Sequence, residues 1–379
     1  MHPLPAFIPG RILCERFFTA AVAPILERTF PSLRYAAGRL ETGSEVLGFD
    51  TPQSRDHDWG PQVTLFVAED EYSDELRAQI RGIMADELPF EIDGYPTHFE
   101  SPELDGGRVT LTRRRPISHK VRVTTARAFF QAYLGIDPLL SRELTPAEWL
   151  AIPEQHLRTV THGPVFRDDL GELHRGRAWL QWYPRDVWLY VLAAQWRRLE
   201  QEEAFVGRCG DVGDELGSRI VAARLVRELM HLCFLMERQY APYTKWFGSA
   251  FAQLACAPRF QPFLNAVLAA SSWREREAHL ASAYSTVAAL HNELELTEPL
   301  AEDVSNFHTR PYMVIHGDRF SAALMDRIVE PDVRRLPRAV GSTSQWVDST
   351  DAQWTHWYGP LRRLYGEVAD LERLARISR

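Results

Sequence analysis

Two small groups of residues in this chain have types and spacing that could do chemistry. They are Gly43-Ser44, and then Asp56 and Asp58, twelve and fourteen residues beyond Ser44. A Gly-Ser turn after a strand can aim backbone N–H groups at a phosphate. Glycine permits the close approach, and the serine adds a hydroxyl donor. Two carboxylates at i and i+2 on a strand share one face. Such a pair of hard oxygen ligands suits Mg²⁺, which usually completes its shell with water and substrate phosphates. The apolar run Val63–Val67 that follows predicts that Asp56-His57-Asp58 opens a strand rooted in a core, with His57 on the opposite side.

Periodicity outlines the elements that would position these groups. Residues 10–30 read as an amphipathic helix, with Phe17, Phe18, Val22, Ile25 and Leu26 at helical spacing. SLRYAAGRL (32–40) reads as a strand running into Gly43-Ser44, and DWGPQVTLFV (58–67) as a second strand. SDELRAQIRGIMADE (73–87) reads as a helix with Ser73 as its N-cap. A third strand is expected in PFEIDGYPTHF (89–99). A fourth is expected in HKVRVTTARAFF (119–130), after the ELDGGR loop. These elements predict a mixed-sheet α/β domain over 1–135. Residues 136–379 read as a helical domain of five or six helices with Pro/Gly joints, and GPVFRDDLGEL predicts a hairpin-like connector near 160–180. The expected class is α+β.

Composition narrows the function. The chain has 379 residues, is 45% hydrophobic and 25% charged, and carries a net charge of -8, which is ordinary for a globular protein with real cores. The absence of a long basic stripe argues against an extended nucleic-acid surface. The four cysteines, Cys14, Cys209, Cys233 and Cys256, form no CxxC, so structural zinc and a disulfide framework are not expected. No cationic segment followed by a long apolar run opens the chain, and no stretch is apolar enough to span a membrane. The expected setting is the cytoplasm. Only two of the 43 basic residues are lysines, Lys120 and Lys245. A lysine kept among so many arginines suggests a place for a compact ammonium.

The ordered set Gly43-Ser44, gap, Asp56-x-Asp58 resembles the signature of the DNA polymerase β-type nucleotidyltransferase superfamily. A helical domain after the α/β domain further resembles its minimal members, some of which attach nucleotides to aminoglycosides. The longer text, including GFDTPQSRDHDWGPQVTLF, GDELGSRIVAARLVRELMHLCFLMERQYAPYTKWFG and FHTRPYMVIHGDRF, is similar to the DUF4037 family. The resemblance implies that Gly43 and Ser44 hold the β- and γ-phosphates of a nucleoside triphosphate, ATP first. It implies that Asp56 and Asp58 bind two Mg²⁺ ions. A third carboxylate would orient an acceptor hydroxyl, whose oxygen attacks the α-phosphorus as pyrophosphate leaves. Two departures stand out. Arg55 occupies a place where many members have serine, and the third carboxylate is open between Glu91, which is favoured, and Asp93, with Asp186 a further candidate base.

Other groups in the chain have competing readings. In YAPYTKWFG (240–248), Lys245 could reach a phosphate and Tyr243 could stack on a base; the plainer reading is a helix joint with core aromatics. The glycine-rich segment 207–219 reads as a capped loop, because Asp211, Asp214 and Glu215 would repel a phosphate. Arg113, Arg114 and Arg115 read as a solvated strand end, Asp168 and Asp169 as turn acids, and Tyr183 and Trp188 as core. The pairs Arg224/His231 and Arg274/His279 resemble the spacing of HEPN-type ribonucleases. Three functions therefore compete. The first is nucleotide transfer to an unidentified small-molecule, protein or RNA hydroxyl. The second is nucleotide binding without transfer, and the third is RNA cleavage.

Overall fold

The structure, a computed structural model, describes residues 5–100, 107–140, 142–338 and 340–377. They form two compact units. One comprises residues 1–142 and 156–181, the other 143–155 and 182–379.

In the first unit the expected N-terminal helix forms as α1 (Gly10–Phe17), a π-helical turn (Phe18–Val22) and α2 (Ala23–Thr29). Pro24 offers no N–H to the preceding turn, and the helix widens there. β1 (Tyr35–Gly38) follows, then the one-turn helix α3 (Ser44–Leu47). β2 is Gln62–Val67 and is buried throughout. α4 (Asp74–Glu87) is capped as expected by Ser73, whose hydroxyl accepts the Leu76 N–H at 3.1 Å.

The expected third strand is instead a separate hairpin, β3 (Glu91–Ile92) and β4 (Tyr95–Pro96). Asp93 (φ 49°) and Gly94 (φ 80°) turn it with two positive φ angles, the backbone an Asp-Gly hairpin prefers. The ELDGGR loop lies mostly outside the described residues. The fourth strand stops early. β5 (Lys120–Thr124) gives way to α5 (Ala126–Leu134), because Thr125 caps the Ala128 N–H at 3.1 Å.

Next in sequence come α6 (Pro146–Ala151), α7 (Glu154–His162), β6 (Val165–Asp168) and α8 (Glu172–Trp179). β6 is not half of a connector hairpin. It pairs antiparallel with β1 and completes a four-stranded sheet in the order β5-β2-β1-β6. β1 and β2 are antiparallel; β2 and β5 are parallel, with Gln62 beside Lys120 and Thr64 beside Arg122. That register gives the sheet two different faces. Val63, Leu65, Val67, Val121 and Val123 pack into a core with Phe17, Leu26, Ile80 and Met84. Gln62, Thr64, Lys120 and Arg122 line the other face.

The second unit is mainly helical, with α9 (Arg185–Glu202), α10 (Phe205–Asp211), α11 (Glu215–Met236), α12 (Thr244–Phe251), α13 (Ala257–Ala269) and α14 (Trp273–Glu293). A hairpin, β7 (Ser305–Phe307) and β8 (Arg310–Val314), interrupts the helices, which resume as α15 (Gly317–Asp326) and end in α18 (Tyr358–Ile377) after the short α16 (Pro331–Arg334) and α17 (Thr343–Trp346). α9 packs against both α11 and α15 and is apolar on most sides, with Trp188, Leu192 and Trp196 all buried. The helices outnumber the five or six expected, but the class remains α+β.

Candidate functional site

Gly43 holds φ 144°, where a side chain would be strained, and a Cβ there would fall 2.4 Å from a Glu45 carboxylate oxygen. Ser44, half-buried, opens α3 directly behind it. The turn is fixed from below. Buried Arg39 donates to Glu45 Oε1 through Nε at 3.1 Å and to the Thr42 carbonyl at 2.5 Å, and Gln62 Nε2 reaches the same Glu45 oxygen at 3.3 Å. Burial pushes the Glu45 carboxyl up while the Arg39 guanidinium pulls it down.

The two aspartates do not open β2, as the apolar run predicted. Asp56 ends a 3₁₀ turn (Pro52–Asp56) closed by a Thr51/Ser54 capping box, and Asp58 sits at φ 48°. The strand begins four residues later, at Gln62. Trp59 anchors this loop. It is buried against Phe7 and Tyr95, and its Nε1 donates to Asp50 Oδ2 at 2.9 Å. Gly60, at φ 144°, leaves no room for a Cβ beside Val109 and Phe99. Arg55 is a brace rather than a substitute ligand, donating to the carbonyls of Pro52 (3.0 Å) and Pro5 (3.1 Å).

The carboxylates meet different partners. Asp56 is exposed and takes a 2.8 Å hydrogen bond from His57 Nδ1. Desolvation pushes its carboxyl up, but the His57 hydrogen bond and charge and the backbone hydrogen bonds together hold the group below its ordinary range. Asp58 Oδ1 forms an ion pair with Lys120 Nζ. The Lys120 side chain is only 2% exposed, and its ammonium lies 5.0 Å from the centre of the Phe99 ring. Lys120 was legible only as a rare lysine; its place beside Asp58 comes from the β2/β5 register.

The remaining candidates are dispersed. Glu91 lies on β3 and pairs with Arg113 at 2.7 Å, while Asp93 sits in the hairpin turn and pairs with Arg16 at 3.0 Å. The two therefore do not share a strand face. Asp186 is a structural cap. Its Oδ2 accepts the Val329 and Glu330 N–H groups, each at 2.6 Å, and Arg185 takes the other oxygen at 2.7 Å. Tyr243 holds the N-cap position of α12 without a side-chain capping bond, and its N–H donates to Gln155 at 2.9 Å beside a cavity of about 70 Å³ that His231 and Arg227 also line. Lys245 is exposed over Trp246. Arg224 pairs with Glu202, whereas His231 is buried against Glu154, so the two members of this pair have separate partners. Asp168 and Asp169 bond within their turn, to the His174 N–H and to Arg167.

A two-Mg²⁺ centre needs several oxygen donors converging on each ion. Among the described residues, no group of three or more His, Cys, Asp and Glu side chains could hold a metal ion. One of the two aspartates already neutralises a buried ammonium. The donor set as it stands does not fit that centre.

Comparison with known proteins adds the following. The nucleotidyltransferase-like protein from Exiguobacterium sibiricum 255-15 is a structural neighbour at 9% identity and a TM-score of 0.31, over 81% of this chain and 89% of that one. The likeness is too distant to place any residue. No curated protein matches the chain. Among the described residues, no helix is long and apolar enough to cross a membrane. Over residues 149–247, from α6 into α12, the chain is similar to the family described as a domain of unknown function, DUF4037.

Proposed function

We propose that the first unit is a nucleotidyltransferase-type module that binds the phosphates of a nucleoside triphosphate, with ATP the first candidate, on the polar face of its sheet. The observation that carries this reading is the braced Gly43-Ser44 turn. Arg39, Glu45 and Gln62 fix it from below, so its backbone is ordered before a ligand arrives. Asp56 and Asp58 stand on the next loop, anchored by Trp59.

Transfer of the nucleoside monophosphate to a hydroxyl acceptor is the second reading. Exposed Asp56 favours it, because a carboxylate held ionised at a loop end is suited to orienting an acceptor hydroxyl. The acceptor oxygen would bond to the α-phosphorus as the bond to pyrophosphate breaks. Asp56, Asp58 and Glu91 remain the candidates for that chemistry.

The test is thermal unfolding with each of the four NTPs, with and without Mg²⁺, on the wild type and on Ser44→Ala and Asp58→Asn. A ligand at 100 times its Kd should stabilise by about 2.7 kcal/mol. At least one NTP is expected to raise Tm, and Ser44→Ala is expected to reduce the rise. If no NTP moves the wild type under either condition, the reading falls.

A further inference from the structure

The first unit holds a cavity of about 330 Å³ that none of Gly43, Ser44, Asp56 and Asp58 lines. α1 contributes Arg11, Ile12 and Glu15, β6 contributes Val165, and α8 contributes Arg177. Pro164 adds a wall from the joint between α7 and β6. That joint is fixed by its own backbone. The Pro164 carbonyl accepts the Arg39 N–H at 2.8 Å, and the Gly163 N–H donates to the Thr159 carbonyl at 2.9 Å. A Cβ on Gly163 would fall 2.4 Å from the Arg39 carbonyl oxygen, so the close approach requires glycine.

The two arginines are placed by one helix end. The last carbonyls of a helix have no partner within it and attract cations. Arg11 Nη2 donates to the His162 carbonyl at 3.5 Å and to the Val46 carbonyl at 3.2 Å, and Arg177 Nη2 donates to the Thr161 carbonyl at 2.5 Å. Thr161 and His162 are consecutive at the end of α7, so two positive charges are held at neighbouring points. Capping explains where they stand, but it occupies one nitrogen of each, and a guanidinium spreads five N–H donors over three. Among the described residues no carboxylate forms an ion pair with either arginine, and Nη1 of each makes no hydrogen bond. Arg11 Nε is enclosed without an acceptor. Burial disfavours the Arg177 cation, and the attraction of Asp168, which makes no ion pair with it, does not make up the difference. Glu15 is exposed and pairs with neither arginine. The lining therefore sets two unpaired cations against one anion.

We propose that this cavity binds a small aliphatic carboxylate, with Nη1 of Arg11 and of Arg177 on the carboxylate oxygens and the carbon chain against Ile12, Pro164 and Val165. A monoanion matches one cation in excess, whereas a phosphate dianion would bring surplus negative charge against Glu15. Arginine's forked donors match the planar carboxylate. Apolar walls with a few convergent polar groups are the usual make-up of a small-ligand cavity. The inference does not rest on the nucleotide reading, and its failure would leave that reading standing.

The experiment is a ligand-detected NMR titration of the full chain with isovalerate and with its neutral amide, isovaleramide, followed by competition with inorganic phosphate. Ile12→Glu and Arg177→Gln are titrated beside the wild type. Ile12 is 39% exposed, so Ile12→Glu sets a negative charge on the wall without removing a cap. Isovalerate is expected to bind at least tenfold more tightly than the amide and at least tenfold more weakly in both variants. It is expected to stay bound against an equal concentration of phosphate. If Arg177→Gln does not fold, the Ile12→Glu comparison decides. Equal binding of isovalerate and isovaleramide would overturn the proposal, because the arginines would then be caps and nothing more. Displacement by equal phosphate would overturn the carboxylate class. Binding that Ile12→Glu leaves unchanged would put the ligand elsewhere, and no binding of isovalerate to the wild type would overturn the site itself.

Discussion

In the helical unit, three buried carboxylates are closed in. Glu154 Oε1 meets His231 at 3.0 Å and its Oε2 accepts the Ala241 N–H at 2.8 Å; Asp186 caps two N–H groups; Glu228 is held by Gln195 and by both arms of Arg198. In the N-terminal unit, the chain Arg39–Glu45–Gln62 also starts in the interior, but the polar face above it leads to the surface through Asp58, exposed Asp56 and half-exposed Arg122. Both arrangements satisfy buried polar groups, as they must. They differ in what is left over. A network that ends on backbone N–H groups has no capacity for a ligand and specifies packing. A network that ends on an exposed polar face is open to a partner from solvent.

The largest effect should come from breaking the closed network. Glu154→Ala would leave His231 Nε2 and the Ala241 N–H buried without partners, at about 1–3 kcal/mol for each group. The expected loss is on the order of 3 kcal/mol, read as a fall in urea midpoint with an unchanged m-value. Glu154, His231 and Ala241 all lie within the stretch similar to DUF4037. A loss under about 0.5 kcal/mol, the range of ordinary surface substitutions, would mean that this pair is not an architectural one.

An intermediate effect is expected at the open site. Gly43→Ala places a methyl against the Glu45 carboxylate at a φ of 144°. Strain of this kind costs of order 1–3 kcal/mol. Glu45 can give way only by loosening its bonds to Arg39 and Gln62, so the turn should lose its form along with stability. The variant is expected to unfold earlier and to bind ATP at least tenfold more weakly. Stability lost with ATP binding intact would separate the turn from the phosphate site.

The same contrast explains what could be read in advance. Local signals were legible where they were complete within a few residues. The Ser73 cap, the Gly43-Ser44 turn after β1 and the existence of a strand in HKVRVTT needed nothing from elsewhere. DWGPQVTLFV was misread at its front end because buried Trp59 looks like part of the apolar run, whereas Gly60 and Pro61 keep the chain out of the strand until Gln62. The Asp93-Gly94 turn was present in the text and outranked the strand assigned over it. ARAFF was misassigned to β5 because the β-branched VRVTT precedes it and Thr125 caps the helix unannounced. The partner of Asp58 was out of reach. It stands 62 residues away and meets the loop only through the register of two parallel strands.

The smallest effect tests where the boundary between the two behaviours lies. Lys245 is the other lysine of the chain, exposed at the start of α12 with its ammonium 5.0 Å from the centre of the Trp246 ring. Its surroundings differ from those of Lys120 in each respect that matters. Among the described residues no carboxylate pairs with it, it is exposed, and the cation–π contact of an exposed side chain is worth about 0.5–1 kcal/mol. Lys245→Ala should therefore shift stability by no more than about 1 kcal/mol in urea unfolding. The informative reading is the ATP titration of the same variant. Affinity within about threefold of wild type, roughly 0.6 kcal/mol, would leave phosphate binding to the charges on the sheet face. A larger loss would instead take phosphate binding away from the sheet face and assign it to the segment that carries Lys245.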